Sequence, residues 1–318
     1  MLMGRKVGII GCGNVGSATA FSLVNQQAIE ELVLVDCLKE KAEGDALDLQ
    51  DATVTASGFT NVYAGGLIDI KDADVIIISV AGPRPQKGET RLDELKATAP
   101  IIMEVVTTLK ELGFSGCYVV ATNPCDVITY HVWSLSGLPR ERVIGTGTLL
   151  DSSRLRRVVA NELKVKPHDV HAYMLGEHGD SQFALWSHST IFGQKLEDYY
   201  QHEQSILDKE KIEKEVIKLG FEIYWLKGNT EFGIGNAIAQ LTKAIVSNER
   251  AVFPVSTILQ GEYGLHDVAI SIPSVIGKGG IEKRIPLHLS LEEHRKLEYS
   301  ANIIQTAISE IRSQKIQH

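Results

Sequence analysis

Cysteine is scarce in this chain: four residues in 318, Cys12, Cys37, Cys117 and Cys125. No pair has CxxC or zinc-ligand spacing, and each thiol sits among apolar or small neighbours, so neither a disulfide framework nor a metal site is expected. A chain of this length buries enough apolar surface to do without such staples. Reduced thiols point to the cytoplasm. The sequence also lacks an apolar run of roughly 18 residues and a charged-then-apolar leader ending in small residues, so no membrane-spanning helix and no secretory signal are expected. Positive charge is in deficit, with 32 Lys and Arg against 40 Asp and Glu and a formal net charge of -8. General nucleic-acid binding needs a concentrated basic face, which leaves a small molecule as the expected partner. No internal repeat or low-complexity tract divides the chain.

What is present is an alternation of short β-rich runs with longer helical patterns through roughly the first 145 residues. The runs "KVGIIG", "ELVLVD", "ADVIIISVAG" and "GCYVVATNP" are nearly continuous in apolar residues, as strands of a parallel sheet covered on both faces must be. Beyond Asp151 the pattern changes. A helical "DSSRLRRVVANEL" leads to a strand-like "DVHAYML". Ile212, Val216, Leu219, Ile223 and Leu226 then repeat at four-three-four-three spacing, as on one helix face. Strand-like "VFPVSTILQG" and "DVAISIPSVIGKGG" follow. Leu297, Ala301, Ile304, Ile308 and Ile311 mark a terminal helix. The division expected is residues 1–146 and 147–318.

Gly11, Gly13 and Gly16 form GxGxxG within "KVGIIGCGNVGSATAFSLV", directly after a strand and at the start of a helix. The first glycine permits the tight turn, the second lets backbone approach a pyrophosphate, and the third lets helix and strand pack closely. Asn14 and Val15 lie within the motif. Asp36 ends the next strand, twenty residues after Gly16, where a carboxylate binds ribose hydroxyls and repels the 2′-phosphate of NADP. The first domain therefore reads as a doubly wound Rossmann sheet that binds NAD. The second reads as an α+β substrate domain, giving an α/β protein overall.

"GCGNVG", "AGPRPQKGETR", "ATNPCDV", "GTGTLLDSSRLR", "GEHGDSQ" and "GNTEFGIG" occur together and in order across nearly the whole chain. In this the sequence resembles the lactate/malate dehydrogenases, most closely their bacterial L-lactate branch. The resemblance implies NAD-dependent interconversion of pyruvate and L-lactate. It implies that His178 donates and accepts the proton, that Asp151 is its partner, and that Arg154 binds the substrate carboxylate. Arg91 would polarise the reacting carbonyl, and Asn123 would hold the substrate oxygen and the cofactor before a cis Pro124. Arg84 would meet the cofactor phosphates, while Thr230 and Ile234 would line the substrate and nicotinamide pockets. A homotetramer is implied as well. Arg156 and His171 match positions that bind fructose 1,6-bisphosphate, an activator, across a subunit interface.

The residue types suit these roles on their own chemistry. Reducing a 2-oxo acid requires a hydride at the carbonyl carbon, a proton for its oxygen and a fixed carboxylate. A guanidinium orients a carboxylate through two parallel hydrogen bonds. An imidazole titrates near working pH, and a neighbouring carboxylate favours its charged form. Each residue also has a plainer use: Asp151 as a helix N-cap, Arg91 and Arg154 as solvated charges. Arg154 and Arg156 are two helical steps apart, about 200° around the axis, so they face opposite ways. In the loop "GPRPQKGETR" either Pro85 or Gln86 faces the substrate methyl, and neither attracts the second carboxylate of a malate-type substrate. "GNTEFG" departs from the aromatic-containing version usual in lactate enzymes. A broader 2-hydroxyisocaproate-type dehydrogenase is therefore the first alternative, a malate dehydrogenase the next, and a catalytically silent NAD(H) sensor the reading outside enzymology.

Overall fold

The structure is a computed structural model. It describes residues 5–56, 58–82, 91–202 and 206–314, including side chains except at 91–94 and 311–314. Arg84, Pro85 and Gln86 lie outside the described residues.

The first half alternates as the apolar runs imply: β1 (Lys6–Ile10), α1 (Asn14–Gln26), β2 (Glu31–Val35), α2 (Lys39–Thr55), β3 (Asn61–Ala64), β4 (Val75–Ile78), α3 (Arg91–Glu111), β5 (Cys117–Val120), α4 (Cys125–Ser136) and β6 (Val143–Gly145). These strands pair in parallel in the order β3-β2-β1-β4-β5-β6. Successive side chains of a strand point to opposite faces. Val33, Ile76, Ile78 and Val120 accordingly join one buried cluster, and Leu32, Leu34, Val75, Ile77 and Val119 the other. Both faces are covered, which is why these strands lack the polar alternation of a half-exposed sheet. Strands β3 and β6, with the sequences NVYA and VIG, are too short to stand out as apolar runs.

The second half contains α5 (Leu149–Leu163), β7 (Val170–His171), β8 (Met174–Leu175), β9 (Phe183–Ala184), β10 (Thr190–Ile191), β11 (Gln194–Lys195), α6 (Leu196–His202), α7 (Lys209–Lys227), α8 (Phe232–Val246), β12 (Ala251–Gln260), β13 (His266–Gly277), β14 (Gly280–Arg284) and α9 (Leu291–Gln314). Strand β12 meets β6 antiparallel at Ser256 and Gly145, and β13 and β14 follow antiparallel. One nine-stranded sheet thus runs across residues 146 and 147, where strand direction changes but the sheet does not break.

Two local readings are corrected. The run "DVHAYML" is two strands in two small sheets, with His171 opposite Thr190 and Met174 opposite Ala184. An apolar run records burial, and burial does not say which partner each half pairs with. The face expected on α7 is buried only in its first half. Ile212 and Val216 pack with Leu155 and Val159 of α5, whereas Leu226 is 87% exposed because the helix runs past that cluster. On α9, Leu297, Ala301, Ile304 and Ile308 are buried as their spacing requires.

Candidate active site

The parallel strand order reverses between β1 and β4, and in such sheets the crevice beyond the carboxyl ends of these strands takes the ligand. The turn after β1 fills it. Gly11 has φ +95°, and a Cβ there would lie 2.7 Å from the Ser79 carbonyl oxygen after β4. A Cβ on Gly16 would fall 1.9 Å from the Gly11 oxygen, so this glycine lets α1 close onto the turn. Gly13 differs: its φ is -72° and nothing lies within 4 Å of a Cβ built on it. The fold does not require glycine there, and the open space borders the N-terminus of α1, where backbone N–H groups attract phosphate. Gly13 caps that helix without a side-chain hydrogen bond.

Asp36 follows β2 and is held against this turn. Its Oδ2 accepts from the Cys12 backbone N–H at 2.6 Å and its Oδ1 from that of Leu38 at 2.9 Å. The open glycine turn and the fixed carboxylate fit the pyrophosphate and ribose of NAD. Asn14 opens α1, while Val15 and Ile234 border the same apolar cluster. A Cβ on Gly235 would lie 2.9 Å from the backbone carbon of Ala18, so α1 and α8 approach closely and bring Ile234 toward the turn. Asn123 is exposed just past the end of β5, and the Asn123–Pro124 peptide is cis.

The second part of the site assembles around one carboxylate. Asp151 lies in the first turn of α5 but does not cap it; the N-cap residue is Thr148. The Asp151 side chain is instead 2% exposed, with Oδ2 2.7 Å from His178 Nδ1 and Oδ1 accepting from Arg154 Nη1 at 2.8 Å. His178 sits in the turn between β8 and β9. That turn is pinned at Gly176, which exchanges backbone hydrogen bonds with Ser271 of β13. Gly176 has φ +93°, and a Cβ there would lie 2.7 Å from Ser300 Oγ. At the far end Gln182 Nε2 donates to the Gly179 oxygen at 2.9 Å. The glycines of "GEHGDSQ" therefore shape the turn that holds the ring, which stays 27% exposed and open to a ligand.

The electrostatics follow from this packing. Burial works against charge on His178, but the Asp151 carboxylate outweighs it and, with Asp126, leaves the imidazole pKa raised. Burial likewise opposes ionisation of Asp151, and His178 and Arg154 outweigh it, so this carboxyl stays below its usual range. The Asp151 carboxylate therefore favours the protonated ring, which it engages through Nδ1.

Asp126 was not singled out from the sequence. It lies in the first turn of α4, 2% exposed, and its Oδ2 accepts from the His178 backbone N–H at 2.7 Å. Its only sequence trace is the Asp of "ATNPCDV". Gly220 of α7 was also missed; a Cβ there would lie 3.3 Å from Arg154 Nη1. Thr230 is half-buried between α7 and α8. Arg91 is the first residue of α3, with its side chain outside the described residues.

Arg156 faces away from Arg154, donating to Ser153 Oγ at 3.3 Å, and His171 is exposed on β7. Neither contributes to the cluster around Asp151. A cavity of about 630 Å³ lined by Trp186, Lys195, Glu213, Glu293 and Lys296 contains none of these site residues. Among the described residues, no group of three or more His, Cys, Asp or Glu is arranged to hold a metal, and no helix is long and apolar enough to cross a membrane.

Residues 5–145 match the lactate/malate dehydrogenase NAD binding domain, and residues 148–315 match the lactate/malate dehydrogenase alpha/beta C-terminal domain. The chain is 44% identical over 308 residues to L-lactate dehydrogenase 2 of Listeria innocua, covering 96% of this chain and 99% of that one. It is 45% identical over 304 residues to L-lactate dehydrogenase 3 of Bacillus anthracis, covering 95% and 96%. The crystal structure of the minor L-lactate dehydrogenase from Enterococcus mundtii in its ligands-bound form superimposes with a TM-score of 0.93 at 38% identity, covering 96% of this chain and 98% of that chain.

Proposed function

The chain belongs to the lactate/malate dehydrogenase family, whose members are NAD-dependent oxidoreductases, and we propose that its reaction is the interconversion of pyruvate and L-lactate. The observation that carries this reading is the double use of Asp151, which fixes a proton donor and a carboxylate binder relative to each other. A 2-oxo acid needs both groups at that relation. NAD, when bound, supplies or takes up the hydride.

The remaining work falls to side chains of this chain. Arg154 holds the substrate carboxylate with the guanidinium N–H groups that Asp151 leaves free. His178 gives a proton from Nε2 to the carbonyl oxygen during reduction and takes it back during oxidation. Asp151 keeps the proton on the Nδ1 side and stabilises the charged ring. Arg91 adds positive charge at the carbonyl oxygen, while Asn123 holds that oxygen and the cofactor. Thr230 and Ile234 wall the pocket, Arg84 meets the cofactor phosphates, and Pro85 or Gln86 meets the substrate methyl. Reduction consumes the His178 proton, so its rate falls as pH rises through the raised pKa. Oxidation rises over the same interval.

One observation favours a second reading, a broader 2-hydroxy acid dehydrogenase. Gly220 lies inside the continuous helix α7, at a helix-propensity cost of about 1 kcal/mol relative to alanine, and its missing side chain lets Arg154 Nη1 stand 3.3 Å from where a Cβ would be. Initial rates of NADH oxidation with pyruvate, 2-oxoisocaproate and oxaloacetate separate the readings. Pyruvate should give the largest kcat/KM. A preference for 2-oxoisocaproate would replace the first reading with the second, and a preference for oxaloacetate would reject both.

The assembly proposed is a cytoplasmic homotetramer activated by fructose 1,6-bisphosphate. Phe21 on α1 and Leu47 and Val54 on α2 are exposed apolar residues that an interface would cover. Arg156 supplies a guanidinium and His171 an imidazole on a surface separate from the active site. Two Arg156 guanidinium groups brought together would repel until a bisphosphate joined them.

A further inference from the structure

We propose that Thr148 and Ser152 are positioning residues for proton transfer: their hydroxyls clasp Met174 of β8 and so set the strand that leads to His178 against the helix that carries Asp151. The assignment rests on the reading of His178 as proton donor and acceptor.

Helix α5 starts without the caps that its sequence offers. "TLLD", residues 148–151, has the form of a capping box, in which a Thr at the N-cap and an acid three residues later each bond the backbone of the first turn. Neither does so. Thr148 is the N-cap but makes no side-chain cap hydrogen bond, and its ψ of 19° departs from the extended backbone usual at that position. Its hydroxyl donates instead to the Met174 oxygen at 2.5 Å, while the Met174 N–H donates to Ser152 Oγ at 2.8 Å. Ser152 Oγ in turn donates to the Thr148 oxygen at 2.8 Å. The Thr148 N–H, which the acid of a capping box would take, goes to Ser271 Oγ at 3.0 Å. Both Asp151 oxygens are thereby left for His178 and Arg154. Thr148, Ser152, Met174 and Ser271 are all buried.

The clasp completes a strand edge. Along a strand, the backbone groups of successive residues point to alternate sides. The Tyr173 oxygen accepts from the Leu185 N–H on the β9 side, so Met174 faces away from β9. Gly176 faces the same way and pairs with Ser271 of β13; at Met174 the two hydroxyls take that place. Thr148 and Ser152 lie one turn apart on one face of α5, with Asp151 and Arg154 roughly 110° round the axis. Met174 stands four residues before His178. A shift of β8 away from the clasp carries His178 Nδ1 away from Asp151 Oδ2, 2.7 Å distant. Arg154, on the same helix as Asp151, stays where it is. The charged groups facing the His178 ring are Asp151 and Arg154 of α5 and Asp126 of α4, and Asp151 favours the protonated ring most. A looser clasp therefore lowers the His178 pKa and leaves carboxylate binding in place.

The test is Thr148→Val, which keeps the shape of the side chain and removes its donor, beside Thr148→Ser, which keeps the hydroxyl. NADH binding, followed by its fluorescence, should be unchanged in both. In Thr148→Val the pH at which pyruvate reduction declines and the pH at which L-lactate oxidation rises should both move lower by about half a unit. Reduction at about pH 8 then falls roughly threefold, with the KM for pyruvate held. Thr148→Ser should keep the wild-type limbs. Structural damage would scale both profiles without moving them. Thr148→Val profiles that superimpose on wild type after scaling, or that move higher, overturn the proposal, as does an equal shift in Thr148→Ser. If Thr148→Val does not bind NADH, Ser152→Ala decides, because it removes the acceptor of the Met174 N–H. Both limbs should again move lower, and unmoved limbs overturn the proposal. A wild-type enzyme without turnover of any 2-oxo acid would reject the reading of His178 itself, and this assignment with it. Wild-type turnover with unmoved limbs in the variant rejects only the clasp.

Discussion

Asp151 commits one oxygen to His178 and the other to Arg154, so in the proposed mechanism proton transfer and carboxylate binding share a single support. Asp36 does comparable work at the cofactor end, where its hydrogen bonds to Cys12 and Leu38 hold a negative charge against the glycine turn. In the role proposed for Asp36, replacing it with alanine removes the charge that repels a 2′-phosphate. Asp36→Ala should therefore raise the ratio of NADPH-linked to NADH-linked turnover by about tenfold or more, measured as paired kcat/KM values; an unchanged ratio would mean that another group selects the cofactor. Gly220 offers a test at the other end. A methyl there meets the Arg154 guanidinium at 3.3 Å, so the guanidinium must yield by a few tenths of an ångström. Gly220→Ala should raise the KM for pyruvate several-fold while NADH affinity holds, and an unchanged KM would show that the guanidinium accommodates the methyl. Asp151, Arg154 and His178 were legible in the sequence because each stands in a distinctive phrase whose residue types match the chemistry. Asp126 was not. An acid just after Asn-Pro reads as an ordinary first-turn residue of a helix, and its partner is 52 residues away.

At the scale of elements, the site is positioned by a helix, a turn and the sheet beneath them. Helix α5 carries Asp151 and Arg154 one turn apart on one face, while the turn from β8 to β9 brings His178 to them. Gly176 fixes the course of that turn through a positive φ and its pairing with Ser271. Gly176→Ala combines left-handed strain with a close contact at Ser300 Oγ. It should lower unfolding stability by about 1–3 kcal/mol in urea titrations and reduce turnover by displacing the ring. Wild-type stability and turnover together would show that the turn is not set there. The helices were largely legible, because 3.6-residue periodicity records which face is covered. The division of "DVHAYML" into β7 and β8 was not, since strand partners are chosen by distant segments. The exposed end of α7 was equally hidden: periodicity marks an apolar stripe but not where the surface it packs against stops.

For the whole molecule, the nine-stranded sheet joins the cofactor half to the substrate half through β6 and β12, so the two parts of the site have one frame. The parallel half was readable from its buried apolar runs. The antiparallel continuation was not, because nothing local in "VFPVSTILQG" names β6 as its neighbour. Arg156 and His171 lie apart from that site, and a bisphosphate acting there must work through the assembly. Fructose 1,6-bisphosphate should lower the pyruvate concentration for half-saturation in wild type, and Arg156→Gln should abolish the response while basal turnover persists. An equally responsive variant would refute the location. The most direct test of the central claim compares wild type with His178→Ala by NADH oxidation with pyruvate, alongside NADH binding. The account predicts robust wild-type turnover, a loss on the order of 10²–10⁴-fold in the variant, and unchanged NADH affinity. Turnover near wild-type levels in His178→Ala would contradict it.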